Sequence, residues 1–228
     1  IPFFDQPPVA GQAVGTFVSA DSRFASAVAN VPVPLSVIGV ETWDLRSGKR
    51  LRAATISLPS TPTFGTWATA DGLRTYAASA DRVGVYDSTT GALLAERSFA
   101  SEGKCWALSP DGTLLAYRDL DEVIHVLDAM SLRTLHTLPG HTDQVLHLAF
   151  SSDNRWLVSA ADDDTARVWD LTAPAPTCIA LRHPFRVDTA AFSPDSSLVA
   201  TFSADRALRV WDRATGGLLA TYPNELRF

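Results

Sequence analysis

Cysteine and long apolar runs are scarce in this sequence. Two cysteines, Cys105 and Cys178, are too few for a disulfide framework or for a metal site built from thiolates. We expect both to be reduced core residues, the usual state of buried cysteine in a reducing compartment. No run approaches the ~20 apolar residues of a membrane-spanning helix, and no signal peptide is visible. We therefore expect a cytoplasmic protein that binds no membrane, and the first residue, Ile1, suggests a piece of a longer protein.

Basic residues are too few for a typical nucleic-acid-binding surface. The 228 residues include 19 Lys and Arg against 25 Asp and Glu, which gives a formal net charge of −6. Proteins that bind nucleic acids usually present a basic face, so we expect no nucleic-acid partner. Arg and Ala are abundant whereas the only lysines are Lys49 and Lys104, a bias that suggests a GC-rich, bacterial gene. With 46% hydrophobic residues, the chain is able to bury a sizeable core.

The main positive signal is a repeat. An aromatic residue or Leu followed by Asp closes an apolar run five times, at spacings of 43, 41, 42 and 42 residues: Trp43-Asp44, Tyr86-Asp87, Leu127-Asp128, Trp169-Asp170 and Trp211-Asp212. A polar turn with Asp near its centre precedes each pair: Asp21, Asp71, Asp111, Asp153 and Asp195. Five copies in phase predict an array of similar structural units.

Each copy has the pattern of four short β-strands. In the fifth copy the strands are predicted at Asp188–Ser193, Leu198–Ser203, Ala207–Trp211 and Leu218–Tyr222. No segment keeps a helical period, so almost no helix is expected. A four-stranded sheet of about 40 residues cannot bury both of its faces alone, whereas such sheets stacked around an axis can, and the result is a β-propeller.

We therefore predict an all-β fold, a β-propeller with five four-stranded antiparallel blades in a single domain, residues 1–228. The blades are predicted at approximately residues 13–60, 61–100, 101–139, 140–182 and 183–223. Blade one carries an insertion, Asn30 to Leu35, which we expect to be an exposed loop. Propellers have ~4–8 blades. The five blades either close as a small ring or, as we favour, form part of a larger, seven-bladed ring completed by the parent protein or another chain.

Residues 166–170 (ARVWD) and 208–212 (LRVWD), with Gly140-His141 before the first of them, resemble the WD-repeat family. The resemblance extends from about Val14 to Tyr222. It implies a non-catalytic scaffold or sensor module that binds a protein or peptide and needs no cofactor or metal.

The alternative is a propeller enzyme with a metal or cofactor in the central channel. Such a site needs several inward-facing histidines or carboxylates from different blades. The first-strand positions are instead mostly apolar or small, for example Ala149, Ala190 and Ala191. We therefore expect no enzymatic activity.

The resemblance also implies a buried tetrad of hydrogen-bonded side chains in complete repeats. Blade four matches it with His141, Ser159, Asp163 and Trp169, and blade five matches it with His183, Thr201, Asp205 and Trp211. All four positions shift by the same 42 residues. A His, Ser and Asp group also occurs in nucleophilic catalysis. Here the group recurs in two blades, includes a Trp and lacks a Gly-x-Ser-x-Gly elbow, which favours a structural role.

In this family, ligands often bind the top face, through the residue before the tetrad Asp and two residues at the start of the first strand. Carried over by position, the candidate partner-binding residues are Gln144, Leu146 and Asp162 in blade four, Arg186 and Asp188 in blade five, and Glu102 and Lys104 in blade three. Both charge signs occur beside an apolar residue. This mixture suits a peptide or protein loop better than a polyanion.

Overall fold

The computed structural model describes residues 12–18, 24–30, 37–44, 46–57, 65–69, 71–78, 82–99 and 104–223. All regular secondary structure in these ranges is β-strand, and the strands form five four-stranded antiparallel sheets. In every sheet the strands lie side by side in chain order. The predicted all-β fold with five four-stranded antiparallel blades is thereby confirmed. Within the same ranges, no helix has the length and apolar character needed to span a membrane.

The twenty strands are numbered in chain order. Blades one and two contain β1 (Gln12–Val18), β2 (Phe24–Asn30), β3 (Val37–Asp44), β4 (Lys49–Ser57), β5 (Gly65–Ala68), β6 (Arg74–Ala78), β7 (Arg82–Asp87) and β8 (Leu93–Ser98). Blades three and four contain β9 (Lys104–Leu108), β10 (Leu114–Arg118), β11 (Ile124–Asp128), β12 (Thr134–Leu138), β13 (Val145–Phe150), β14 (Trp156–Ala161), β15 (Thr165–Asp170) and β16 (Cys178–Arg182). Blade five contains β17 (Val187–Phe192), β18 (Leu198–Ser203), β19 (Ala207–Asp212) and β20 (Leu218–Pro223), within one residue of the predicted bounds.

The turn between the first and second strands of a blade is built by a hydroxyl residue and the Asp two positions later. In blade four the Ser151 hydroxyl donates to Asp153, which also accepts the backbone N–H of Arg155 at 3.1 Å. The same pattern holds in blades two, three and five, around Asp71, Asp111 and Asp195. The recurring Asp of the sequence therefore fixes this hairpin, as turn chemistry predicts. The first copy of this turn, at Asp21, and the predicted loop from Asn30 to Leu35 lie outside the described residues, apart from Asn30 at the end of β2.

In blades one, two, four and five, the Asp that ends the third strand stabilises the next turn. Asp170 accepts the backbone N–H and the hydroxyl of Thr172, and Asp212 accepts both from Thr215. Asp44 and Asp87 accept backbone N–H groups in the same way. An aspartate that bonds the backbone two or three residues on is a common way to stabilise a turn.

The residue contacts divide the chain into two compact units, one with blades one and two and one with blades three to five. In the second unit, one apolar cluster joins blade three to blade four, through residues such as Ile124, Leu157 and Trp169. A second cluster joins blade four to blade five, through residues such as Val168 and Trp211. Face-to-face burial of neighbouring sheets is what propeller blades require. The single domain over residues 1–228 and the number of blades in the ring stay predictions.

Candidate functional site

The top end of a blade is defined here as the end where its first strand begins and its second strand leads into its third. At the top end of blade four the four predicted side chains meet. His141 Nδ1 lies 2.8 Å from an Asp163 carboxylate oxygen, and His141 Nε2 lies 2.7 Å from the Ser159 hydroxyl. Trp169 donates its indole N–H to the same hydroxyl at 2.9 Å. The network is therefore continuous from carboxylate to indole.

The donors and acceptors of this network fit one protonation state. Asp163 is an acceptor, so His141 donates its Nδ1–H to it. His141 Nε2 is then free to accept the Ser159 hydroxyl proton, and the Ser159 oxygen accepts the Trp169 N–H. Burial lowers the pKa of His141 below its ordinary value, although the hydrogen bond with Asp163 acts in the opposite direction. His141 is consequently neutral at pH 7.

Local residues hold the Asp163 carboxylate in place. Its second oxygen accepts the backbone N–H of Thr165 at 3.0 Å and the Thr165 hydroxyl at 2.6 Å. The oxygen that faces His141 also accepts the backbone N–H of Thr142. Burial acts to raise the pKa of Asp163, but the hydrogen bonds from Thr165 and His141 outweigh it, and the pKa lies below its ordinary value. A carboxylate with this many donors is rigidly oriented.

Blade five departs from the predicted tetrad. Trp211 donates to the Thr201 hydroxyl at 2.8 Å, as in blade four. His183, however, lies against the Arg209 guanidinium, with 3.4 Å from its Nδ1 to the nearest nitrogen, and its buried Nε2 has no hydrogen-bond partner. Asp205 binds the same guanidinium instead of the imidazole. The prediction of a second tetrad is wrong in its His and Asp contacts.

The cause lies in a residue outside the tetrad. Arg167 in blade four is the repeat equivalent of Arg209, and its guanidinium lies 6.0 Å from the centre of the Trp169 ring. It occupies space beside Gly140, where an added Cβ would lie 2.4 Å from its terminal nitrogen. The equivalent of Gly140 in blade five is Arg182. We infer that a side chain at that position closes this route, since the guanidinium of Arg209 binds the Asp205 carboxylate instead.

The protonation states in blade five follow from the contact of Asp205 with Arg209 instead of with His183. The hydrogen bonds from Arg209 lower the pKa of Asp205 to about 2. Burial, followed by the charge of Arg209, lowers the pKa of His183 to about 4, against the effect of Asp205. Because Arg209 is donor-only, His183 Nδ1 is the acceptor in this contact and the proton of the neutral ring sits on Nε2. The two histidines therefore carry opposite tautomers.

Blade three uses a different arrangement at its top end. His125 lies 2.8 Å from Asp119, and its ring stacks on Tyr117. Asp121, the sequence equivalent of the tetrad Asp, is exposed and donates its backbone N–H to Asp119. The neighbouring Glu122 binds the buried Arg118 and accepts the backbone N–H of Val145 in blade four. Sequence reasoning missed these contacts, since Asp119, Glu122 and His125 lie outside the motif positions.

The predicted partner-binding residues of blades four and five lie together. Arg186 forms an ion pair with Asp188 at 3.1 Å and lies 4.0 Å from Asp162 of blade four. The Arg186 side chain is nevertheless 57% exposed. Gln144 is exposed and bonds Asp162 through the backbone, whereas Leu146 is half-buried. Arg186 thus bridges the top ends of two adjacent blades.

Two further candidates belong to blade three. Glu102 lies outside the described residues, and Lys104 begins β9.

A residue that the sequence analysis missed is Phe185, which is 56% exposed directly before Arg186. Its only sequence signal is an aromatic residue inside a polar loop. The surface formed by Gln144, Asp162, Phe185, Arg186 and Asp188 is called the top surface below.

Among the residues that the structure describes, no three His, Cys, Asp or Glu side chains are grouped closely enough to hold a metal ion.

Both cysteines are free. Burial raises the pKa of the Cys105 thiol to about 12. Cys178 is exposed, so the prediction that both cysteines are core residues is wrong for Cys178. It lies on β16, the outermost strand of blade four, where one face meets solvent.

Comparison with known proteins agrees with this geometry. The family "WD domain, G-beta repeat" matches residues 132–170 and 177–212. An uncharacterized WD repeat-containing protein of Synechocystis is 33% identical over 122 residues, which are 52% of this chain and 34% of that protein. WD repeat and SOCS box-containing protein 1 of Takifugu rubripes is 36% identical over 118 residues, or 51% of this chain and 28% of that protein. COMPASS component SWD3 of Saccharomyces cerevisiae is 32% identical over 121 residues, or 51% and 36%.

The chain thus spans about a third or less of the length of these relatives. They come from a cyanobacterium, a fish and a yeast, so the bacterial origin suggested by the bias toward Arg and Ala over Lys stays a prediction. The family match in this chain and the names of two of these relatives both indicate the WD repeat. These matches show WD repeats over residues 132–170 and 177–212 and support the WD-repeat family for this chain.

Proposed function

We propose that this protein is a non-catalytic, cytoplasmic interaction scaffold that binds a protein or peptide partner on its top surface. Proteins built from WD repeats are typically scaffolds for protein interactions. The observation that carries the proposal is Arg186, which connects Asp162 and Asp188 of two blades while more than half of its side chain stays exposed. An arginine held in position by carboxylates is preorganised for binding, because little side-chain entropy is lost on contact.

Phe185 supports the same surface. Arginine and aromatic residues are enriched among the side chains that dominate interface energetics. An aromatic ring that is 56% exposed beside a positioned guanidinium combines the two. The backbones of both loops are held by equivalent hydrogen bonds, from Asp162 to Gln144 and from Ala204 to Arg186, each at 2.9 Å. The top surface therefore presents an apolar anchor, a cation and two carboxylates on a fixed frame.

The test uses a displayed library of random 12-residue peptides, selected against the whole chain. Peptides that bind the wild type should lose at least tenfold in affinity for Phe185→Ala and for the double variant Arg186→Asp with Asp188→Arg. The melting temperature should be nearly unchanged because the side chains of Phe185 and Arg186 are more than half exposed and that of Asp188 is 35% exposed. The matched control reverses another exposed ion pair, Arg82 with Glu96, at 3.2 Å. Unchanged binding by the top-surface variants, or equal loss in the control, would contradict the proposal.

A further inference from the structure

Carboxylates outnumber cations in the loops around the top surface. These loops are residues 140–146, 162–164, 183–188 and 204–206. They contain six Asp residues but only two Arg residues, and both of their histidines are neutral at pH 7. Asp143 and Asp164 are exposed, and neither forms an ion pair with any residue that the structure describes. The local charge is therefore negative, and it attracts cations and repels anions.

The guanidinium of Arg186 is already shared by two carboxylates of this chain. Its Nε lies 3.1 Å from Asp188, and one of its terminal nitrogens lies 4.0 Å from Asp162. An incoming carboxylate or phosphate group would have to share this guanidinium with two like charges. The oxygen of Asp162 that faces Arg186 is beyond hydrogen-bond distance of it and has no hydrogen-bond partner. The negative charge of Asp162 is thus incompletely compensated, which favours a further cation over an anion.

The exposed ring of Phe185 lies in a loop that runs along these carboxylates. The backbone N–H of His183 donates to the carbonyl oxygen of Asp164 at 2.9 Å. Three residues further on, Arg186 pairs with Asp162. The blade-five loop therefore follows the blade-four loop from Asp164 to Asp162, and Phe185 lies within this stretch. Its ring is 56% exposed.

A Lys or Arg side chain fits both features of this surface. Its aliphatic stem packs on apolar surface, and its charged end is attracted to the face of an aromatic ring and binds carboxylates. A purely apolar side chain would leave the carboxylates unpaired, and an acidic one would be repelled. We propose that the top surface binds a basic peptide segment, with a Lys or Arg side chain packed on Phe185 and its charge directed to Asp162 and Asp164. This inference rests on the proposed function and adds the chemistry of the partner.

Three dye-labelled 12-residue peptides test the charge preference by fluorescence anisotropy. They share one sequence of Gly, Ser and Leu residues apart from a few fixed positions. These positions are Lys and Arg in the basic probe, Gln in the neutral probe and Glu in the acidic probe. The basic probe should bind the whole chain about tenfold more tightly than the neutral probe, and the acidic probe should bind most weakly. The affinity for the basic probe should decrease as the salt concentration rises.

Asp164→Asn separates a local contact from the general attraction of an acidic protein. Asn has nearly the same shape and tolerates the positive φ of 60° at this position. The variant should weaken binding of the basic probe about threefold and leave the neutral probe unchanged. The matched control, Glu96→Gln, removes one exposed carboxylate on β8 and should bind the basic probe like the wild type.

Phe185→Leu tests the aromatic ring apart from its apolar character. Leu keeps an apolar side chain at this position but lacks the ring face that attracts a cation. The variant should therefore weaken binding of the basic probe by a larger factor than binding of the neutral probe. Circular dichroism verifies that each variant is folded.

Two results would each overturn the inference. One is a basic probe that binds the wild type no more tightly than the neutral probe. The other is an equal effect of Asp164→Asn and Glu96→Gln, which would show attraction by net charge alone. The proposed function is judged separately, by the random library. Selected peptides that need Phe185 but are not enriched in Lys and Arg would support the proposed function and contradict this inference.

Discussion

Blades four and five carry the same His, hydroxyl, Asp and Trp residues at a constant spacing of 42, yet only blade four connects all four. In blade five the guanidinium of Arg209 binds the Asp205 carboxylate, and His183 contacts that guanidinium instead of the carboxylate. Both blades have an arginine at this position, so the arginine alone does not explain the difference. We infer that the difference lies in Gly140 beside the histidine of blade four, where the Arg167 guanidinium lies near the Trp169 ring, because the equivalent residue of blade five is Arg182.

The largest expected difference between the blades comes from removing the carboxylates. Asp163→Ala removes the acceptor of a buried imidazole and of two backbone N–H groups, and should lower the free energy of unfolding by about 3 kcal/mol. The Asp163 side chain is only 4% exposed, against 18% for Asp205. Asp205→Ala breaks a more exposed ion pair and should cost about 1 kcal/mol. Urea denaturation measures both, and equal losses would contradict the contrast between the networks.

Lowering the pH should destabilise the protein through His183 of blade five, whose Nε2 has no hydrogen-bond partner. His183 is neutral in the folded protein, with a pKa of about 4, while the unfolded value is about 6.5. As the pH falls below 6.5 the unfolded chain binds a proton first, so stability is complete above that pH and declines until about pH 4. The loss should be on the order of 2 kcal/mol, allowing for partial solvent screening.

His183→Gln tests this origin. The variant should remove a large part of the decline in stability between pH 6.5 and 4 and cost little at neutral pH. His141→Gln should instead destabilise the protein at neutral pH, because it breaks a complete network. Urea denaturation at several pH values provides both comparisons. An unchanged pH profile in His183→Gln would show that other groups cause the decline.

Closing the space beside His141 should convert blade four toward the arrangement in blade five. In Gly140→Ala the new Cβ displaces the Arg167 guanidinium, and the backbone at φ +148° is strained for any other residue. We expect a loss of about 1–2 kcal/mol. Gly48→Ala is the control, because Gly48 also has a positive φ but nothing lies within 4 Å of its added Cβ. Thermal unfolding should show a larger loss for Gly140→Ala than for the control, and equal losses would remove the role assigned to Arg167.

The smallest expected effect is a gain in blade five. The Thr165 hydroxyl donates to Asp163 at 2.6 Å, whereas the equivalent residue of blade five is Ala207. Ala207→Thr supplies the missing donor to Asp205 and should stabilise the protein by about 0.5–1 kcal/mol. Thr165→Ala should lose a similar amount, which urea denaturation detects. A destabilised Ala207→Thr would show that Arg209 already saturates the carboxylate.

The fold was predictable because its signals are local and repeated. Each Asp-centred turn is fixed by residues two to five positions apart, as around Asp153 and Asp195, so the sequence displays the complete interaction. The network of blade four was predictable for a related reason, since its residues occupy motif positions. The contact of Asp205 with Arg209 instead of His183 was not predictable, because it depends on where the long Arg209 side chain lies in three dimensions. Phe185 was missed because exposure of a loop side chain depends on its neighbours in three dimensions.

The most direct test of the account is the tautomer of each histidine, measured by long-range ¹H–¹⁵N NMR correlation of the imidazole rings near pH 7.5. The structure predicts that His141 carries its proton on Nδ1, which donates to Asp163. It predicts that His183 carries its proton on Nε2, because Nδ1 faces the donor-only guanidinium of Arg209. Assignment follows from His141→Gln and His183→Gln. Opposite tautomers support the contrast between the two blades, and an Nδ1–H tautomer at both histidines would contradict it.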